Sequence, residues 1–206
     1  MSTDAVTDAV SEFTSRFAET TLRIADLADL LDGFSHEQRV AAVRSLGRAE
    51  QRNLYKAADG FRPLRLEHLV PPSVQDFTPV RHFGKNTLPL FTHFEKRFCR
   101  PHGEDAVKPS ALYGFNFQTM APVTGPGYFV AREDANRAEV LVDYHHVPPE
   151  HPEGWPAVQP NDRGLSRFVY GFMIDTVRRV SEHVSIGSAA RKGKDLGSWF
   201  VLCREA

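Results

Sequence analysis

The first sixty residues repeat apolar side chains at helical spacing. Intervals of three and four residues separate the members of this stripe, which are Val6, Val10, Phe13, Phe17, Thr20, Ile24, Leu27, Leu31 and Phe34. Such spacing predicts a packed amphipathic helix or a coiled-coil seam. We expect a break near Thr20, the one polar member, and a helix end at Asp32 and Gly33, which form a stop signal.

A second helix is predicted between Ser35 and Gly60. Ser35 and Gln38 have the S-x-x-Q spacing of a capping box, and apolar residues follow at helical intervals. Residues 1–60 are therefore predicted to form an N-terminal helical segment. Such a segment either covers the core of its own chain or forms a dimer seam, and amphipathic helices more often do the first.

Residues 61–83 contain four prolines and are expected to form an extended connector. Helical spacing returns after Asn86. The apolar face of this stretch consists of Leu88, Phe91, Phe94 and Phe98. The polar face consists of Thr92, His93, Lys96 and Arg97. The pattern predicts a Phe-rich helix that ends before Pro101.

Beyond Pro101 the apolar period becomes two, which is typical of strands. The predicted strands cover residues 113–119, 128–133, 138–145, 183–190 and 198–204. A stretch at 164–180 has helical spacing and predicts a helix between two strand pairs. Residues 61–206 are therefore predicted to be an α+β domain, in which an antiparallel sheet has the order β-β-α-β-β. Five prolines make residues 147–163 a long loop within it.

Charge and composition exclude several classes of protein. The chain has 206 residues, with 25 Lys and Arg against 26 Asp and Glu, so its net charge is -1. This balance gives no field that would attract a nucleic acid. No apolar run approaches the ~20 residues of a membrane span, and the N-terminus lacks the pattern of an export signal. We expect a cytoplasmic protein with no nucleic-acid partner and no membrane span.

The 15 Phe are the one unusual feature of the composition. Several lie in segments predicted to converge between sheet and helices, where they either fill a core or line an apolar pocket. A pocket of this kind would bind a lipid or another apolar small molecule. The candidate ligand-binding residues are Phe91, Phe94, Phe98, Phe115, Phe117, Phe129, Phe168 and Phe172.

A second candidate site lies where the strand at 138–145 ends. Asp143, His145 and His151 could supply three metal ligands. Together with His146, the same residues could instead form an acid/base pair. The simplest alternative is that histidines at a wet strand end hydrogen-bond to loop backbone. No signature of fixed spacing, such as H-E-x-x-H, selects among these possibilities.

Residues 80–206 resemble the superfamily of vinyl-reductase-like and haem-NO-binding domains. The resemblance lies in segments such as GPGYFVARED and EVLVDYHH, in the Gly-Leu-x-x-Phe-x-x-Gly pattern from Gly164 to Gly171, and in the ending Phe200 to Cys203. It implies N-terminal helices followed by strand pair, helix and strand pair, in a dimeric domain that binds haem, an acyl chain or an aromatic effector. Haem-binding members carry a Tyr-x-Ser-x-Arg motif, whereas here His145 to Pro148 follow Tyr144. This difference argues against haem and leaves the cofactor unknown.

We therefore expect a non-catalytic module that binds an apolar small molecule as a sensor or assembly domain, and that acts as a homodimer or adaptor. Burial of the ligand would order the predicted helix 164–180 against the sheet. One alternative is an enzyme that uses the site at Asp143. The other is a pure oligomerisation scaffold, in which Phe13→Asp or Leu27→Asp would abolish the dimer.

Overall fold

The computed structural model describes residues 3–19, 21–118, 125–134, 136–162 and 166–206, with the side chain of Phe168 excepted. The helices in these ranges are α1 (Thr3–Ser15), α2 (Ile24–Gly33), α3 (His36–Ser45), α4 (Arg48–Ala57), α5 (Leu66–Leu69) and α6 (Ser166–Val169). A 3-10 turn, Arg16–Ala18, follows α1. The N-terminal stripe is therefore divided among shorter helices. Its expected break at Thr20 falls on a residue outside the described ranges.

Eight strands of the described chain form a closed antiparallel barrel. These are β1 (Val80–Asn86), β2 (His93–Cys99), β3 (Leu112–Phe117), β4 (Tyr128–Asp134), β5 (Glu139–Asp143), β6 (Met173–Arg179), β7 (Val184–Arg191) and β8 (Lys194–Arg204). Each strand pairs with the next along the chain, and β1 pairs with β8. The barrel is therefore an up-and-down meander with no open sheet edge.

Three pairs of glycine and phenylalanine shape the barrel interior. Gly84 lies opposite Phe94, Gly114 opposite Phe129, and Gly187 opposite Phe200. A Cβ at any of these glycines would collide with the ring across from it. An eight-stranded barrel has room for few large side chains, so each ring occupies the space that its partner leaves empty.

The connector between the helices and the barrel closes one end of the barrel. Leu64, Leu66 and Leu69 are buried in the same cluster as interior side chains such as Phe98. The backbone of Leu64 donates a hydrogen bond to the Ala138 carbonyl (2.9 Å), which lies in the β4–β5 turn. The connector does not fill the opposite end of the barrel, where the β1–β2 and β7–β8 turns lie.

Helices α1 to α4 cover part of the outer surface of the barrel. Phe13, Leu27 and Leu31 are fully buried in one cluster with outward-facing Ile186 and Val201 of β7 and β8. The deepest residues of the N-terminal stripe thus pack within a single chain. Aspartate at Phe13 or Leu27 would consequently disturb the folding of the chain itself.

The proline-rich loop covers another part of the outer surface. The Trp155 ring packs against Phe115 of β3, with ring centroids 4.7 Å apart. Asn161 donates hydrogen bonds to the carbonyls of Tyr128 (2.6 Å) and Tyr144 (2.9 Å). Residues 147–162 have no helix or strand, as the five prolines predict, but they are fastened to the barrel.

The predicted α+β class is wrong, and so is the β-β-α-β-β order. The predicted Phe-rich helix after Asn86 is the β1–β2 hairpin, with β2 covering His93–Cys99. The predicted helix at 164–180 is the short α6 followed by β6. In both stretches the apolar residues have helical spacing, yet pairing with neighbouring strands determines the structure.

Other local predictions are confirmed. Ser35 caps α3 in a capping box, in which the Gln38 N–H donates to Ser35 Oγ and the Ser35 N–H donates to Gln38 Oε1. The predicted hairpin at 128–145 is β4 and β5. In the described ranges, no helix combines the length and the apolar composition that crossing a bilayer requires.

Candidate ligand site inside the barrel

A cavity of about 350 Å³ lies in the barrel, towards the end that the connector leaves open. Its apolar lining includes Leu88, Phe94, Met173, Ala189, Leu196 and Phe200. Leu88 and Leu196 are 50% and 43% exposed, so the cavity reaches solvent between the β1–β2 and β7–β8 turns. This volume falls at the small end of the range for pockets that enclose small organic ligands.

A polar network forms the floor of the cavity. Lys96 and Asp175 project inward from β2 and β6, which lie on opposite sides of the eight-stranded barrel. Lys96 Nζ is 3.2 Å from Asp175 Oδ2, and the two side chains are only 2% and 4% exposed. The ion pair thus crosses the interior and separates the open half from the packed half around Phe98 and Phe129.

Each proton of the Lys96 ammonium has an acceptor. Nζ donates to Asp175 Oδ2, to Asn116 Oδ1 at 3.0 Å and to the Tyr144 hydroxyl. The Tyr144 hydroxyl in turn donates to Asp175 Oδ2 at 3.2 Å, and Asn116 Nδ2 donates to the Tyr144 oxygen at 3.1 Å. Four residues on β2, β3, β6 and the end of β5 therefore form one connected network.

One atom of this network is left over. Asp175 Oδ1 is buried and has no hydrogen-bond partner among the described residues. A buried acceptor without a partner costs about 1 to 3 kcal/mol. Since Asp175 lines the cavity, a bound molecule with a hydroxyl or N–H group could satisfy this oxygen.

Burial dominates the electrostatics of the floor. It lowers the pKa of Lys96, and the nearby Asp175 carboxylate opposes this effect. Burial raises the pKa of Asp175, against the opposing influence of Lys96 and its hydrogen bonds. Burial and the charge of Asp175 also raise the pKa of Tyr144 well above its ordinary value. Both ionic partners are thus shifted towards their neutral forms.

Aromatic rings enclose the Lys96 amine. Nζ lies 4.9 Å from the ring centre of Phe200, 5.0 Å from those of Phe129 and Tyr144, and 5.9 Å from that of Phe94. These rings attract a cation through their faces and keep bulk water away from it. They therefore attract the ammonium form through their faces and at the same time deprive it of hydration.

Strand pairing explains why these side chains meet. Lys96 lies opposite Asn116 on β3, and Asp175 lies opposite Ala189 on β7. In β3, Gly114 and Asn116 face inward, while Tyr113, Phe115 and Phe117 face outward. Small and polar residues therefore occupy the inner face here, which leaves room for the cavity.

The eight phenylalanines proposed from the sequence lie in different environments. Phe94 lines the cavity, and Phe98 and Phe129 fill the packed half beneath it. Phe115 packs under Trp155 on the outer surface. Phe91, Phe117 and Phe172 are exposed, and the side chain of Phe168 lies outside the described part. Phe94 is thus the one member among the described side chains that lines the cavity.

The Asp143 group lies outside the barrel interior. Asp143 Oδ1 accepts from His145 Nδ1 (2.8 Å) and Oδ2 from His146 Nδ1 (2.7 Å), so one carboxylate orients both rings. Burial acts to raise the pKa of Asp143, but hydrogen bonds from His145 and His146 lower it further than burial raises it. Since both rings contact Asp143 through Nδ1, the Nε2 atoms of His145 and His146 would be available as bases or ligands.

His151 is not part of that group. Its Nδ1 contacts the Pro152 carbonyl (2.9 Å), and its ring lies 6.1 Å from that of Tyr128. In the described ranges, no three His, Cys, Asp or Glu side chains are arranged to hold a metal ion. A recess of about 260 Å³ adjoins His145 and Phe172. The acid/base alternative stays a prediction.

Known proteins offer no assignment for this site. No family model matches the chain, and no curated protein or solved structure matches it. The resemblance to the vinyl-reductase-like and haem-NO-binding superfamily therefore stays a prediction. Function must be inferred from the cavity and its floor.

Sequence patterns hid the residues that form this floor. Lys96 falls on the polar face of the predicted Phe-rich helix, and Asp175 falls within the predicted helix 164–180. One available signal was that a lysine and an aspartate interrupt otherwise apolar alternation in β2 and β6. Phe94, Lys96 and Phe98 all occupy inward positions, and so do Met173, Asp175 and Val177.

Proposed function

We propose that this protein binds one small molecule inside the barrel, with an apolar body in the cavity and a polar head at the floor. One observation carries the proposal: the cavity ends on the buried Lys96–Asp175 pair, whose Asp175 Oδ1 has no partner in the described part of the chain. Closed barrels of eight strands are wide enough to hold one small ligand.

The floor also indicates what kind of head group fits. Lys96 already has a counter-ion, so the pair as a whole carries no net charge. A ligand carboxylate at this depth would meet Asp175, a like charge, in a medium of low dielectric constant. A neutral head that donates a hydrogen bond, such as an alcohol, phenol or amide, instead pairs with Oδ1.

Octanol and its methyl ether test the proposal as a matched pair of probes. They have the same apolar body, but only octanol can donate a hydrogen bond to Asp175. Calorimetry should show that octanol binds with a stoichiometry of one and that the ether binds more weakly by a factor of roughly 5 to 30, equivalent to about 1 to 2 kcal/mol. Equal affinities would contradict the assigned role of Asp175.

Two alanine substitutions locate the binding. Ala189 faces the cavity, whereas its neighbour Ala190 faces outward, opposite Ile174 of β6. Ala189→Phe should fill the cavity and abolish octanol binding, while Ala190→Phe should leave binding intact. Both variants must keep the circular dichroism of the parent. Binding that survives Ala189→Phe would place the ligand elsewhere and overturn the proposal.

A further inference from the structure

The Lys96 amine has a feature that simple binding does not use. It is the buried lysine at the floor of an apolar cavity, and it contacts both a carboxyl group and a phenol. Burying an ion pair costs free energy that its mutual attraction often fails to recover. Such a pair at the end of a ligand cavity is therefore better explained by chemistry than by stability.

We propose that Lys96 forms a reversible imine with the carbonyl carbon of an aldehyde or ketone ligand. This inference rests on the proposed function, because it requires a ligand in the cavity, and it adds a class of ligand that reacts with the floor instead of donating a hydrogen bond to it. It adds a covalent bond that the binding of an alcohol or amide does not involve.

The groups around Lys96 account for every atom in this reaction. Asp175 first takes a proton from the ammonium, which frees the lone pair on Nζ to attack the carbonyl carbon. The carbonyl oxygen takes one of the two protons that remain on Nζ and becomes the hydroxyl of a carbinolamine. That hydroxyl leaves as water with the proton returned by Asp175, and a C=N bond replaces the C=O bond. The product is a protonated imine with the Asp175 carboxylate as counter-ion.

Every donor at the floor still has an acceptor in the product. The imine nitrogen keeps one N–H, which can donate to Asp175 Oδ2. Tyr144 then turns its hydroxyl to Asn116 Oδ1, which is 3.5 Å away and no longer accepts from Lys96. The surrounding rings of Phe94, Phe129 and Phe200 limit the return of water, which hydrolysis of the imine requires.

The effect of burial on the Lys96 amine also favours formation of the imine. Only the neutral amine is a nucleophile, and burial lowers the pKa of Lys96. Lys192 provides the comparison within the chain, since it is exposed and lies over the single ring of Phe172 at 4.8 Å.

Reductive trapping tests the proposal. The full chain is incubated at neutral pH with cinnamaldehyde and sodium cyanoborohydride, which reduces an imine to a stable secondary amine. Peptide mapping by mass spectrometry should find more label on Lys96 than on any other lysine. Excess cinnamyl alcohol, which occupies the cavity but forms no imine, should abolish the label on Lys96 and leave the label on Lys192 unchanged.

Two variants make the result specific. Ala189→Phe should lose the label on Lys96 and keep that on Lys192, because the cavity is filled while the surface is unaltered. Lys96→Arg keeps the cation but removes the primary amine, so the intact mass of the treated variant should lack the label that the parent carries in the cavity. If this variant fails to fold, the competition and Ala189→Phe decide the question.

The outcomes separate the two proposals. If cinnamyl alcohol binds in calorimetry but Lys96 stays unlabelled, the imine is excluded and the proposed binding function stands. If Lys96 is labelled in Ala189→Phe, or despite excess cinnamyl alcohol, the reaction does not occur in the cavity and the imine proposal is overturned. If neither probe binds and no label reaches Lys96, both proposals fail.

Discussion

Removing one member of the buried ion pair should cost far more stability than removing both. Lys96→Met leaves the Asp175 carboxyl in a site that is only 4% exposed, without its cation and without one of its hydrogen bonds. Breaking a buried pair in this way costs about 3 to 5 kcal/mol. For a chain of 206 residues, where each kcal/mol shifts Tm by about 2 to 4 °C, the midpoint should fall by roughly 6 to 20 °C.

The double variant provides the matched comparison. Lys96→Met combined with Asp175→Leu removes both charges and fills a similar volume with apolar atoms. Its stability should lie close to that of the parent or exceed it by up to about 4 kcal/mol. Tyr144 and Asn116 can still hydrogen-bond to each other at 3.1 Å. Equilibrium unfolding in urea, followed by circular dichroism, measures Lys96→Met, Asp175→Leu and the double variant and gives the coupling energy.

The dependence on pH supplies a second check of the same prediction. Burial raises the pKa of Asp175, and Lys96→Met removes the cation that opposes this effect. A raised carboxyl pKa destabilises the folded state at pH values above it, and the penalty shrinks as the pH falls through it. Lys96→Met should therefore lose less stability at about pH 5 than at about pH 8. Single variants that each cost under about 1 kcal/mol, or additive losses in the double variant, would refute the description of the floor.

Three further predictions test other parts of the fold. Gly187→Ala pushes the Phe200 ring towards the cavity and should cost about 1 to 3 kcal/mol while weakening octanol binding. Gly33→Ala is the control, because no atom of the described residues lies within 4 Å of its new Cβ, and it should leave binding unchanged in the same titration. Burial lowers the pKa of His82 from 6.5 to about 3, so stability should fall by on the order of 5 kcal/mol as the pH drops through this window, and His82→Gln should flatten that slope in urea unfolding. Ser35→Ala removes the capping box of α3 and should cost about 1 kcal/mol in thermal unfolding.

Local signals predicted several elements well. The capping box at Ser35 and the hairpin of β4 and β5 depend on residues close together in the chain, and the structure confirms both. The proline content of residues 147–163 likewise predicted a loop without regular structure. Its attachment to the barrel through Trp155 depends on distant partners, which proline content does not reveal.

The two helices that were predicted wrongly are the strands that carry the ion pair. In β2 and β6, Lys96 and Asp175 occupy inward positions that apolar residues would fill in a barrel packed throughout. Each charge breaks the period of two, and the apolar residues that remain happen to follow helical spacing. The two residues of the proposed binding floor thus obscured the structure of their own strands.

The aromatic face of β3 was misleading for a related reason. Phe115 and Phe117 suggested an apolar face directed towards a pocket, yet they point outward. Gly114 and Asn116 point inward, since Gly114 must make room for Phe129 and Asn116 binds Lys96. Which face of a strand is internal depends on the opposite strands, and a single strand pattern does not contain that information.

A crystal structure of the protein with octanol bound tests the central claim most directly. We predict that the alcohol oxygen lies within hydrogen-bond distance of Asp175 Oδ1 and that the alkyl chain extends between Phe94 and Phe200 towards Leu88 and Leu196. A ligand found outside the barrel, or one whose oxygen lies away from Asp175, would contradict the assignment of this cavity as the binding site.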